Sequence, residues 1–141
     1  LENANFVKYG VMHRNTYINS TKLLEATYKL KVNRNIYFAG QITGVEGYVE
    51  SASSGLIAGI NMARFLEGKD ILDLDATTAI GALANYISYH AEIEQPDTFE
   101  PMNVNFGIFN ALERKVYKKE RKMAYAKRAL ENLNKILDEA K

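Results

Sequence analysis

Hydrophobic and polar positions divide this chain into segments of different period. Val7, Tyr9, Val11, Thr16, Tyr17 and Ile18 favour extended backbone over residues 6–19. Ser20 or Thr21 then starts a short helical turn through Leu23 and Leu24. Tyr28, Leu30 and Val32 alternate with Lys29 and Lys31, the period of a half-buried strand. Asn33, Arg34 and Asn35 read as a turn before a short buried strand over residues 36–39. That strand stops at Gly40, and Gly44 and Gly47 follow. A helix is predicted over residues 47–66, stopped by Gly68, with Val49, Ala52, Leu56, Ile57, Ile60, Ala63 and Phe65 as its apolar positions.

The same helix carries small residues at every fourth position: Gly47, Ser51, Gly55, Gly59 and Ala63. Each interior glycine costs roughly 1 kcal/mol of helix propensity relative to alanine. A close approach to a sheet or a neighbouring helix would compensate. Residues 71–74 read as an extended connector. Asp75 is the expected N-cap of a helix over residues 77–90, with Ile80, Leu83, Ala84 and Ile87 on one face. Residues 92–100 form an acidic loop containing Pro96. Residues 101–107 interleave amides with apolar side chains and show no period. From about Ala111 one long helix is expected. Its stripe is Val116, Met123, Leu130 and Leu137, with Ala126, Leu133 and Ala140 interleaved.

Length and charge narrow the picture. A chain of 141 residues suits one domain with a real core. The net charge is only +1, but the charges are segregated. Residues 69–100 hold seven acidic side chains and one basic, whereas residues 113–128 hold eight basic and two acidic. Such asymmetry points to a local polyanion site. The absence of cysteine excludes disulfides, thiolate metal sites and a cysteine nucleophile within these residues. No apolar run approaches the ~20 residues of a membrane span, and no signal-peptide pattern opens the chain. A start at Leu1 is expected of a piece cut from a longer protein.

Three groups of residues could carry chemistry. Gly40, Gly44 and Gly47 fit either a tight strand-to-helix turn or a cofactor-contacting turn. Their spacing is not the dinucleotide fingerprint. In the second reading Gly40 and Gln41 lie beside a ribityl–phosphate chain, and the helix start at Val45, Glu46 and Gly47 aims N–H groups at a flavin edge. Arg14, Asn15 and Tyr17 form a cation–amide–aromatic cluster suited to a phosphate and a stacked ring. A lone histidine such as His13 is more often structural, and two histidines do not make a histidine-rich metal site. Lys118, Lys119, Arg121 and Lys122 lie in the basic run, which reads either as a solvated helix face or as a contact to backbone phosphates.

Four motifs follow one another along the chain: Tyr9-Gly-Val-Met-His-Arg-Asn-Thr-Tyr-Ile-Asn19, the glycine turn and helix over residues 38–61, Ala79-Ile-Gly-Ala-Leu83 with the following Tyr86-Ile87, and Pro101-Met-Asn-Val-Asn-Phe-Gly107. In this order they resemble the TrmFO family of FAD- and folate-dependent tRNA (uracil-5-)-methyltransferases. The resemblance covers most of residues 5–110. It implies an α/β fold, comprising the C-terminal portion of a Rossmann-like FAD-binding domain (residues 1–68) and a mainly helical C-terminal tail (residues 69–141). It implies an enzyme about three times as long, whose dinucleotide fingerprint and functional cysteines lie upstream. That enzyme makes 5-methyluridine in the tRNA T-loop, with carbon from methylenetetrahydrofolate and reducing equivalents from NAD(P)H through FAD.

By motif, Gly40, Gln41, Gly44, Val45, Glu46 and Gly47 would line FAD. Arg14, Asn15, Tyr17 and the basic residues would face tRNA or the flavin, and no catalytic residue falls in this segment. The implied partners are tRNA and the missing N-terminal part of the same polypeptide, in the cytoplasm, with no membrane. The segment alone is expected to be inactive and able to pair with itself. The GidA-type wobble-uridine flavoproteins share the Ala-Gly-Gln-Ile start. Their turn typically reads Gly-Thr-Thr-Gly-Tyr-Glu-Glu, where this chain has Thr43-Gly-Val-Glu-Gly-Tyr-Val-Glu50. A stand-alone RNA-binding module without cofactor would need the basic run but not the glycine turn.

Overall fold

The computed structural model describes residues 5, 10, 15–93 and 100–140, with side chains 90–93 outside the description. Arg14, His13 and most of the expected N-terminal extended segment lie outside the described residues, as does most of the acidic loop. The elements are α1 (Ser20–Leu23), β1 (Lys29–Leu30), β2 (Asn33–Tyr37), α2 (Tyr48–Leu66), α3 (Ala79–Ile93) and α4 (Arg121–Glu139), with 3-10 turns at Gln41–Thr43 and Phe106–Ile108. The α/β expectation is thus met only in reduced form. The described residues are mostly helical, and their one sheet has two antiparallel strands.

The short helix forms where Ser20 and Thr21 predict it. Asn19 rather than either of them is its cap, accepting from the Lys22 N–H. The hairpin differs from the alternation. Tyr28 leaves the strand with φ +66°, and the turn falls at residues 31–32, leaving Val32 exposed at 85%. The Lys31 N–H donates to Leu23 O and its ammonium to Thr21 O, pinning the tip to α1. Asn33, Arg34 and Asn35, expected as a turn, therefore enter β2. That strand is not buried either, because β1 is its only partner among the described residues and Ile36 stays open to solvent.

The predicted ends of α2 hold. Gly47 precedes its first residue, and Gly68 at φ +68° closes it. The Gly68 N–H reaches Phe65 O and the Lys69 N–H reaches Arg64 O, a Schellman closure. Its buried face differs from the apolar list: Ser54, Ile57, Ala58 and Asn61 go inside, while Val49 and Leu56 are exposed. The polar members are inside because they bond to backbone. Asn61 donates to Leu72 O at 3.0 Å and accepts from Leu72 N at 2.6 Å. That pair pins the connector, whose Leu72 and Leu74 enter the core.

Thr78, not Asp75, caps α3, accepting from the Gly81 N–H at 3.0 Å. Asp75 instead holds the preceding turn through the Thr77 N–H. Ile87, Leu83 and Ala84 of α3 meet Ile57 and Ala58 of α2, together with Tyr28, Val45, Leu72 and Leu74. This core draws on both sides of residue 68. The expected helix start near Ala111 is wrong: residues 111–117 have no regular helix, and α4 begins at Arg121. Arg128 fixes the irregular segment by donating to Asn110 O and Ala111 O at 2.6 and 2.7 Å. The stripe is corrected in part. Met123, Leu130 and Leu137 are exposed, whereas the interleaved Leu133 and Ala140 pack on the core as expected, joined by Ile136.

Candidate functional site

The three turn glycines have one physical reason in common. Gly40, Gly44 and Gly47 sit at φ +76°, +85° and +93°, where side chains with a Cβ are strained. Between them the chain makes a 3-10 turn at Gln41–Thr43 and is then aimed into α2.

Hydroxyl groups hold this turn from behind. Ser54 Oγ accepts from the Gly40 N–H at 2.8 Å and donates to Ser51 O at 2.7 Å. Thr43 Oγ1 donates to Gly40 O at 2.7 Å, and Ser20 Oγ donates to Thr43 O at 2.8 Å. Thr43, Ser54 and Ser20 are fully buried, so these bonds act in a low-dielectric interior. Both the Ser54 and Ser20 contributions escape a reading of the sequence, in which they are ordinary helix and cap residues.

The aperiodic segment after Glu100 also belongs to the turn. The Glu46 N–H donates to Met102 O at 3.0 Å and the Met102 N–H to Gly44 O at 3.1 Å, a parallel bridge between two distant motifs. The Asn103 amide reaches Glu50 at 3.4 Å. A Cβ on Gly47 would overlap the Glu50 carboxylate and that amide. The alternating amides of residues 103–105 were the available signal. Asn103 meets Glu50, and Asn105 caps the next turn by accepting from the Gly107 N–H at 2.8 Å.

Gln41, Glu46 and Gly47, with Tyr48 and Ser51, line a cleft of about 210 Å³ at the start of α2. Gly47 at its N-cap brings no side-chain acceptor, and among the described residues no side-chain hydrogen bond caps the first turn, which contains Glu50. Val45 is fully buried, leaving only its backbone at the turn. Asn15 joins the site by donating to Glu46 Oε1 at 3.5 Å. Tyr17 is partly exposed.

Lys118, Lys119, Arg121 and Lys122 are all exposed around the start of α4, outside this cleft. The first turn of α4 contains no acidic residue; its N-cap is Glu120, whose side chain makes no capping hydrogen bond. Cations therefore gather at the positive end of a helix, an arrangement that costs folding energy and favours an anionic partner.

The family model described as Glucose inhibited division protein A matches residues 1–70. The chain is 55% identical over 139 residues to the methylenetetrahydrofolate–tRNA-(uracil-5-)-methyltransferase TrmFO of Bacillus cytotoxicus. It is 53% identical over 138 residues to that of Natranaerobius thermophilus, and 54% identical over 140 residues to that of Listeria monocytogenes. These matches cover 98–99% of the chain and 31% of each relative. The chain is a homologue of the TrmFO proteins, matching them across nearly all of its own length and about a third of theirs.

Proposed function

We propose that these residues are part of a longer flavoprotein that methylates uracil C5 in tRNA, with methylenetetrahydrofolate as carbon donor and NAD(P)H as reductant, in the cytoplasm. The observation that carries this is identity above 50% to three such methyltransferases, over matched stretches long enough to include the glycine turn and the segment bonded to it. In this reading residues 1–68 complete a Rossmann-like FAD-binding domain, and residues 69–141 buttress it and hold tRNA.

The cleft fits part of FAD. It is too small for a dinucleotide. Its Gln41, Ser51 and Glu46 side chains suit the hydrogen-bonding edge of a ring better than a diphosphate. FAD, when bound, supplies the redox chemistry. The chain's own contribution is positional. Gly40, Gly44 and Gly47 permit close backbone approach, and Gln41 and Glu46 offer an amide and a carboxylate. The uncapped start of α2 favours negative charge by about 1 kcal/mol if partly buried. Asn15, with Arg14 and Tyr17 near it in sequence, completes the rim towards substrate, and Lys118, Lys119, Arg121 and Lys122 take backbone phosphates.

Gly44→Val and Gly47→Val in the full-length polypeptide should purify without yellow flavin and lose 5-methyluridine formation. Flavin content equal to wild type in both would refute the cofactor assignment. The 141 residues alone should not methylate tRNA, and turnover by them would refute the proposed division of labour.

A further inference from the structure

Beside the basic segment lies an apolar groove that the proposed cofactor site does not use. It holds about 360 Å³, lined by Ala79, Val104, Phe106, Phe109, Ala126 and Ala129. Phe106 and Phe109 are the rings of its wall, and Tyr125 packs against both. Phe106 stacks on Tyr125 with centroids 5.2 Å apart and planes 29° from parallel. Phe109 meets Phe106 at 5.2 Å and Tyr125 edge-on at 5.7 Å. Arg128 lies 5.2 Å from the Tyr125 ring centre while its guanidinium is tied to the Asn110 and Ala111 carbonyls. The platform is thus locked before any ligand arrives. It is also open, with Phe106 exposed at 41%.

Tyr125 borders a second depression, of about 440 Å³, whose lining includes Arg114, Lys115 and Arg121. The two are neighbours through ring contacts, since Tyr125 lines the depression and touches both rings of the groove. We infer that the groove takes the base of an unpaired RNA nucleotide while the depression takes its phosphate. Every base has a π-face to stack, and a single-stranded segment can turn a base outwards without breaking a duplex. Charge complementarity selects the polyanion, since residues 113–128 carry eight cations against two carboxylates. The choice of RNA rests on the proposed tRNA substrate, and it adds a stacking subsite to the backbone contacts assigned above.

The test uses the full-length protein and a single-stranded RNA carrying 2-aminopurine, whose fluorescence is quenched on stacking. Wild type should bind and quench. Phe106→Leu and Tyr125→Leu should weaken binding about tenfold and abolish the quench, with the salt dependence unchanged. Phe106→Tyr should retain both. Arg114→Glu with Lys115→Glu should lower the salt slope by about two while any residual binding still quenches. Should the leucine variants unfold, Ala126→Phe decides, because it fills the groove from the exposed side of α4 and should block the quench. Binding without quench by wild type, or an unchanged quench in folded Phe106→Leu, Tyr125→Leu or Ala126→Phe protein, overturns the inference. Failure of wild type to form 5-methyluridine would instead overturn the functional proposal, since the groove is judged on the quench alone.

Discussion

Two glycines in neighbouring helices show how the same residue type answers different demands. A Cβ on Gly81 would overlap the carbonyl oxygens of Leu74 and Asp75, which are backbone atoms and cannot swing away. Gly81→Ala should therefore cost about 2–3 kcal/mol through overpacking, read as a fall in the denaturation midpoint. Gly55 has open space around it, so Gly55→Ala in the isolated chain should stabilise by about 0.5–1 kcal/mol. Equal and small effects at both positions would show that α3 does not approach the connector as described. Asn61 offers a second residue-scale test. It satisfies both backbone groups of Leu72 within the core, so Asn61→Ala strands a donor and an acceptor and should cost about 2–4 kcal/mol. A loss below 1 kcal/mol would mean that water replaces the amide. The turn glycines were legible in the sequence because left-handed backbone selects for glycine. Asn61 was not, since its partner is the backbone of a connector, which no side-chain pattern records.

At the scale of elements, ends were easier to read than faces. Gly47 and Gly68 marked α2 correctly because termination is local chemistry. Its buried face was misread because periodicity counts apolar side chains, whereas the interior took Ser54 and Asn61 for their hydrogen bonds. The start of α4 was misread because the basic residues near 114–119 are good helix formers, while tertiary bonds from Arg128 hold residues 110 and 111 outside the helix. That crowding of cations has a two-sided consequence. Lys118→Glu, Lys119→Glu and Lys122→Glu together should reduce the salt slope of tRNA binding by about two to three. The same changes should slightly raise the stability of α4, because acids suit a helix start. Binding lost together with a clear drop in melting temperature would point to a structural role for these lysines. Binding retained at the wild-type slope would remove them from the interface.

On the scale of the whole molecule, one face of α2 has no neighbour among the described residues. Tyr48 is 97% exposed, and Ala52, Gly55, Leu56, Gly59 and Ala63 continue the surface along the helix. Small residues at this spacing permit a backbone to come close, and Gly55 and Gly59 cost helix propensity with nothing packed on them among the described residues. The chain spans only 31% of its relatives' length, so the natural occupant under the proposed function is the rest of the flavoprotein polypeptide. Left bare, such a face favours self-association. The isolated chain should therefore sediment with a concentration-dependent mass, and Leu56→Lys should move it towards monomer. In the full-length protein the same substitution would put a charge against a packed layer. There it should cost at least the 1.5–3 kcal/mol or so of a lost leucine burial and release flavin, because α2 aims the glycine turn. Leu56→Lys without effect on full-length stability would show that this face stays open to solvent, and the small-residue row would then need another explanation.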